Sequence, residues 1–312
     1  MICITGSLSF DNIMNLPGRF ADFILPNKIH TLNVSFMVKT LRKERGGCGA
    51  NVAYNLSFFR EDVLLLTAIG QDGKKYKKWL ERRGVGLSYS RIFKNELTAT
   101  GFAIVDKLDN QLWGYYRGAL KKASSLSLKK IKEKTNFVYV GPSEPRAMTN
   151  FSSEAKAFKI PYAFDPAFQI PQIPKDKLLN SILGAEILFG NDYEIALIGK
   201  SLNLSKVKLL KMVKVLVTTL GEKGSMIETT KKRFKIKAAR ARQVVDPVGA
   251  GDAYRAGFLA GYLKGRSLTT CGQMGSVCAV YTVEKYGTTT HRFSKKGFVK
   301  RYKKNYNVDI KI

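Results

Sequence analysis

From residue 136 onward, short apolar runs alternate with helix-like stretches, and no other feature constrains the fold as tightly. The runs are Phe137–Val140, Tyr162–Phe164, Ile187–Phe189 and Val213–Thr218. Bounded runs of this length read as buried strands. Strands that recur with helices between them form βαβ units, and such units build a parallel sheet. The N-terminal part supplies more of the same material. Residues 1–7 read as a strand ending at Gly6-Ser7, Ala50–Phe59 as an apolar helix, Val63–Ile69 as a buried strand, and Lys74–Arg83 as a basic helix stopped by Gly84. A strand pair near Ser225–Ile227 and Arg233–Lys237 precedes a helix over Ala253–Leu263.

Two segments break this rhythm. Residues 12–45 are turn-rich, with Pro17, Gly18 and Pro26, and carry short strand-like pieces such as Leu32–Val38. Residues 98–117 read as a hairpin: Thr98–Asp106, a polar turn at Asp109-Asn110, then Gln111–Arg117. The expected architecture is an α/β core with a mostly parallel sheet, made of residues 1–11, 46–94 and 119–312. A discontinuous β lid of residues 12–45 and 95–118 is set apart from it.

Composition narrows the function classes. Of 312 residues, 45% are apolar and both charge signs are dispersed, so a real core forms and wholesale disorder is excluded. The runs Val63–Ile69 and Met212–Leu220 are too short to cross a bilayer. No basic segment followed by a long apolar stretch opens the chain, so a cytoplasmic location is expected. Cys3, Cys48, Cys271 and Cys278 form no C-x-x-C pair, which suits a reduced protein; Cys271 and Cys278, seven apart, suit one helix face. Two histidines, His30 and His291, leave little room for a histidine triad or a His-rich metal centre. The net charge of +29 attracts polyanions. Basic residues are spread along the chain, denser over Arg292–Lys311, without a zinc-finger spacing or an RNA-binding string. A general surface bias is therefore expected, with no specific nucleic-acid partner.

The chemistry concentrates in Asp246-Pro247-Val248-Gly249-Ala250-Gly251-Asp252, followed at once by small and apolar helix formers. Gly249 and Gly251 flank one small residue, Ala250, so backbone amides can converge without Cβ obstruction. A helix N-terminus adds free N–H groups and the positive end of its dipole, a ready anion site. Asp252 at its mouth would repel a phosphate unless it did work there, such as accepting a hydroxyl proton during phosphoryl transfer. Alternatively, Asp252 caps the helix and the glycines form a turn. A Walker P-loop is absent: Gly199-Lys200-Ser201 has its ending, but position 194 is Glu where Gly is required.

That string resembles the C-terminal signature of the PfkB (ribokinase-like) carbohydrate kinases. Gly46-Gly47-x-Gly49-Ala50-Asn51 resembles their N-terminal signature, Asn191-Asp192-Tyr193-Glu194 their N-x-x-E motif, and Thr219-Leu220-Gly221-Glu222-Lys223-Gly224 their T-x-G-x-x-G segment. Gly6-Ser7-x-x-x-Asp11, Pro17-Gly18-Arg19-Phe20 and Leu32-x-x-Ser35-Phe36 are similar to the bacterial adenosine kinases of this family. Pro247-Val248 departs from the Thr-x or Pro-Thr of many members and leaves the glycines and Asp252 intact.

The resemblance implies a ribokinase-like three-layer α/β/α core with a small β-sheet lid, and a kinase that takes ATP and a nucleoside or sugar. Asp252 would be the base, with the amides of residues 249–252 holding the phosphoryl oxygens. Asp11, Gly47 and Asn51 would meet the ribose; Ser7 and Ser35 are weaker candidates that local backbone bonding could equally explain. Asn191, Thr219, Gly221 and Gly224 would border the ATP, and Glu194 would organise Mg²⁺ through water. Asn191 and Glu194 also read as a helix-start pair, and the Thr219–Gly224 segment as a hairpin turn. Phe102, Tyr115 and Tyr116 on the hairpin either stack on a base or pack as lid core. Adenosine is the expected acceptor, ribose or another sugar the next; a basic nucleic-acid-binding protein without catalysis is the alternative of another class. A monovalent cation such as K⁺ and a homodimer are left open.

Overall fold

The computed structural model describes residues 1–59 and 62–312. In chain order the elements begin with β1 (Ile2–Thr5), β2 (Ser9–Asn15), β3 (Thr40–Gly46), α1 (Cys48–Ser57), β4 (Val63–Leu66), β5 (Ala68–Gly70), α2 (Lys74–Glu81), β6 (Val85–Gly86), β7 (Arg91–Phe93), β8 (Ala99–Val105) and β9 (Gln111–Tyr116). There follow β10 (Phe137–Val140), α3 (Pro145–Ala157), β11 (Tyr162–Phe164), α4 (Lys175–Ile182), β12 (Ile187–Asn191), α5 (Asp192–Leu202), α6 (Lys206–Leu210) and β13 (Val215–Thr219). The chain ends with β14 (Ser225–Glu228), β15 (Arg233–Ile236), α7 (Ala250–Leu263), α8 (Leu268–Val283) and α9 (Lys295–Tyr306).

The main sheet runs β15-β14-β13-β12-β11-β10-β1-β4-β6. It is parallel from β13 to β6 and antiparallel at β14 and β15. Its central strands are buried on both faces, which is why they read as unbroken apolar runs. Alternate residues feed two cores. Ile2, Ile4, Leu65, Tyr139 and Val217 pack with α1, α7, α8 and α9, whereas Cys3, Leu64, Val138 and Leu216 pack with α3, α4 and α5. That is a three-layer α/β/α arrangement. A second sheet, ordered β3-β2-β8-β9, is made of strands from both segments that interrupt the core pattern.

Two expectations need correction. Leu32–Val38 is not a strand: it follows a 3-10 turn at Pro26–Thr31, and its Leu32, Met37 and Val38 stay exposed. The strands of that segment are β2 and β3, paired over seven residues; β3 reads Thr-Leu-Arg-Lys-Glu-Arg-Gly and has no apolar signature. Val63–Ile69 is split at Thr67, because β5 leaves the main sheet to pair with β7. The bounds of α8 and the whole of α9 were not foreseen. Cys271 and Cys278 do share the buried face of α8, and α9 lies in the basic C-terminal stretch with only Phe298 and Tyr302 buried. Among the described residues no helix is long and apolar enough to cross a membrane.

Candidate active site

The parallel strands all point their carboxyl ends at one edge of the main sheet. In an open α/β sheet, ligands sit outside that edge, at the point where strand order reverses. Here the chain steps from β1 to β4 and β6 on one side and then returns to β10 on the other. The loops after β1 and β10 meet there: the Ser7 amide donates to Pro142 O at 2.9 Å and the Gly141 amide to Thr5 O at 2.9 Å. Asp165 follows β11, and Asn191 and Thr219 end β12 and β13 as register partners.

Helix α7 begins over this edge. Its N-cap is Gly249 at φ 80°, a left-handed conformation that disfavours other residues, and a Cβ there would meet Thr288 Cγ2 at 2.8 Å. Asp252 is thus the third residue of the helix and not its cap. No side chain caps α7, and the amides of Gly251 and Asp252 have no protein acceptor among the described residues. Asp246 holds the preceding loop in shape by accepting from the amides of Val248 at 2.9 Å and Gly287 at 3.0 Å.

Asp252 Oδ2 accepts from Asn51 Nδ2 at 2.8 Å, and Asn51 Oδ1 accepts from Thr288 Oγ1 at 2.8 Å. The second glycine string thereby reaches the first. Burial pushes the Asp252 carboxyl up to about 6, against the opposing pull of Arg255 and the hydrogen bond from Asn51. A carboxylate poised there is ionised at neutral pH and still basic enough to take a proton. Gly47, at φ 97°, caps α1; a Cβ would strike Ser7 O at 2.6 Å and Leu8 Cα at 2.7 Å. Ser7 Oγ accepts from the Cys48 amide at 3.0 Å, so Ser7 fastens the start of α1.

Across the cleft lies the small sheet. Its register sets Glu44, Asp11, Gly101 and Tyr115 in one cross-strand row, with Arg42, Ile13, Ala103 and Trp113 two residues along on the same face. Cβ atoms built on Gly46 and Gly101 would lie 2.2 Å from Asp11 Oδ2 and 2.9 Å from Oδ1. The same Cβ on Gly101 would lie 3.0 Å from Trp113 Cζ3 and 3.3 Å from Tyr115 Cε1. Two glycines therefore make room for one carboxylate beneath two rings, which stack at 5.4 Å and 4°. Burial, then the charge of Glu44, raises Asp11 to about 6, and it accepts no protein hydrogen bond among the described residues. Phe102 and Tyr116 fall on the other face of this sheet, since strand neighbours alternate. Trp113, which the sequence reading passed over, lies with Tyr115 on the face of Asp11. Ser35 is exposed in the segment between Thr31 and Thr40.

At the end of β12, Asn191 and Glu194 form a capping box on α5, each accepting from the other's amide at 2.7 Å through Asn191 Oδ1 and Glu194 Oε2. Burial, then Asp165, raises Glu194, and Oε1 remains without a protein partner among the described residues. Thr219 to Gly224 form the turn between β13 and β14: the Leu220 amide donates to Gly224 O at 2.8 Å, with Gly221 at φ 59° and Gly224 at φ 91°.

The pfkB family carbohydrate kinase profile matches residues 9–295. The chain belongs to that family. It is similar to the nucleoside kinase of Methanothermobacter thermautotrophicus, 33% identical over 92% of this chain and 90% of that one. It is also similar to the nucleoside kinase of Methanocaldococcus jannaschii, at 32% over 83% and 85%. Among solved structures, Burkholderia thailandensis nucleoside kinase in complex with inosine superposes with a TM-score of 0.90 at 28% identity, covering 99% of both chains. This pfkB-family chain is thus a phosphotransferase acting on a hydroxyl acceptor, a kinase of nucleosides or sugars, with the ribokinase-like fold.

Several residues of the kinase's cleft carried a signal that went unread. Trp113 lies two residues before Tyr115, so strand alternation alone puts both on one face. Arg255 lies three residues past Asp252, a long cation among Ala253, Ala256 and Gly257. Asp165 and Thr288 had no local signal, since only tertiary folding brings them to α7. A groove of about 570 Å³ beside α5 and α6, lined by Ile195, Lys200, Thr218 and Met226, includes neither Asp252 nor Asp11.

Proposed function

We propose that this kinase transfers the γ-phosphoryl of ATP to the 5′-hydroxyl of a nucleoside, with adenosine as the preferred acceptor. The observation that carries the reading is the row Asp11–Gly101–Tyr115 with Trp113 beside it. A carboxylate without a protein donor suits a ribose diol, and a site built for hydroxyls rejects analogues that lack them. Two stacked rings next to it offer a flat apolar surface of the kind a base needs and a bare sugar does not. The nucleoside kinases named above support the same substrate class. The small sheet then serves as the lid, carrying the acceptor toward α7.

Asp252 takes the proton of the attacking hydroxyl as its oxygen bonds to the γ-phosphorus and the bond to the ADP oxygen breaks. Asn51 and the Thr288 hydroxyl behind it fix the carboxylate. The amides of Gly251 and Asp252 hold the charge that collects on the phosphoryl oxygens, and fixed donors of this kind need no reorganisation at the moment of reaction. Asn191, Thr219, Gly221 and Gly224 border the nucleotide. Among the described residues no three His, Cys, Asp or Glu side chains could hold an ion. Mg²⁺ fits nonetheless, because it keeps most of its waters and takes one or two carboxylates plus substrate phosphates, and Glu194 Oε1 has no protein partner among the described residues. Bound there, it would offset phosphate charge.

The test is a panel of acceptors with ATP: adenosine, inosine, cytidine, ribose and fructose 6-phosphate, with the products identified. A nucleoside 5′-monophosphate as the best product supports the reading. Ribose phosphorylated faster than every nucleoside leaves a kinase and removes the proposed substrate. Tight DNA binding without turnover of any acceptor would revive the nucleic-acid alternative.

A further inference from the structure

The phosphoryl-transfer scheme leaves one cation of the cleft unused. Arg255 lies on α7 one turn past Asp252 and is 7% exposed. Its Nη2 donates to Asp165 Oδ1 at 3.0 Å and its Nε to Asp165 Oδ2, which also accepts from the Tyr139 hydroxyl at 2.5 Å. Nη2 stands 3.8 Å from Glu194 Oε2. Burying an ion pair costs so much desolvation that apolar packing often does as well, so stability alone explains this arrangement poorly.

The third nitrogen is the informative one. Nη1 makes no protein hydrogen bond among the described residues, and it sits 2.8 Å from where a Cβ on Gly251 would be. Gly251 and Arg255 are four apart and share a face of the helix. That face carries the open amides of the helix start on one side and Glu194 on the other. A guanidinium fork held rigidly through two of its nitrogens presents the remaining one with little rotamer freedom left to lose.

We propose that Arg255 is a further catalytic residue, whose Nη1 donates to an oxygen of the transferring phosphoryl group over Gly251 while Asp165 and Tyr139 hold the guanidinium in place. The inference rests on the kinase reading and adds a donor to it. A Cβ at position 251 would crowd Nη1 at 2.8 Å.

Arg255→Gln, Arg255→Lys and Asp165→Asn separate catalysis from support. Each is measured for melting temperature, for kcat at saturating ATP and acceptor, and for affinity toward ADP·Mg²⁺ with and without aluminium fluoride. Arg255→Gln is expected to lower kcat by about 10²–10³-fold, the worth of one oxyanion donor. Affinity for the aluminium fluoride complex should fall with it, while affinity for ADP·Mg²⁺ alone holds. Arg255→Lys should recover part of the loss, and stands in for the Gln variant if that one does not fold. Asp165→Asn keeps the cation and should lose less. A folded Arg255→Gln or Arg255→Lys enzyme with wild-type kcat overturns the proposal. So do equal losses in the Arg255 and Asp165 variants, which would mark the pair as structural. The binding measurements need no acceptor, so an error about the nucleoside leaves them intact, whereas wild-type protein that fails to bind ADP·Mg²⁺ removes the kinase reading first.

Discussion

At the phosphate end of the cleft, Gly249, Gly251 and Asp252 fall within four consecutive residues at one helix start. At the acceptor end, Asp11, Gly101, Trp113 and Tyr115 come from three strands and meet only through sheet register. The first arrangement is local and half-buried beside the Thr288 loop. The second carries Tyr115 73% exposed over a half-buried Asp11, and each contact depends on pairing that a one-residue slip would undo. On the proposed function, the reaction is written in a short string, and the choice of acceptor in a tertiary alignment.

The sharpest way to break this division is Asp252→Asn. It removes the base and keeps the helix and the contact with Asn51. We expect kcat to fall by about 10²–10⁴-fold, with little change in nucleoside affinity measured directly. An equal loss of acceptor affinity would mean that Asp252 belongs to both ends.

Asp11→Ala tests the other end. Acceptor affinity should fall by about 10- to 100-fold, as when a buried polar contact of about 1–3 kcal/mol is lost, and ADP affinity should hold. A loss confined to ADP would put Asp11 on the wrong side of the cleft. A second variant sharpens the register argument: Gly101→Val fills the space that Asp11, Trp113 and Tyr115 share, and should reproduce the acceptor defect without replacing the carboxylate.

How much of this was legible follows the same division. The parallel sheet, the glycine helix start and the Asn191/Glu194 pair were legible because each is a local pattern with a local physical cause. The pairing of β3 was not, because Arg42, Lys43, Glu44 and Arg45 carry no apolar alternation and the strand forms on the template of β2. The face that Phe102 takes was not legible, because an aromatic on a hairpin does not say which side of the sheet it joins. Gly101 opposite Asp11 decides that, and it took the pairing of β2 with β8 across some ninety residues of chain to place it. Arg255 was overlooked because the small-residue helix around it read as packing.

The smallest effect concerns a buried histidine behind the acceptor end. His291 packs against Tyr54; its Nε2 lies 2.8 Å from Asn55 Oδ1, and its Nδ1 is buried without a partner. Burial lowers it from the ordinary 6.5 to about 4. Protons therefore bind the unfolded chain better across that window. The stability His291 contributes is complete above 6.5 and is lost as pH falls toward 4. Asp11 and Asp252, held near 6, act in the opposite sense, so the readout is a difference. The melting temperature of His291→Asn should fall less steeply than that of wild type between pH 6.5 and 5. Parallel curves would contradict the assignment.

The most direct measurement presents adenosine and ribose together, at equal concentration, with limiting ATP. The product ratio then reports the ratio of the two kcat/KM values, and folding damage cancels because both acceptors compete for the same enzyme. For wild type the account predicts AMP as the main product. Trp113→Ala should shift the ratio toward ribose phosphate by about 2- to 10-fold, the worth of about 0.5–1.5 kcal/mol of aromatic stacking, while Phe102→Ala leaves it unchanged. Ribose phosphate as the main wild-type product, or a larger shift from Phe102→Ala than from Trp113→Ala, would contradict it.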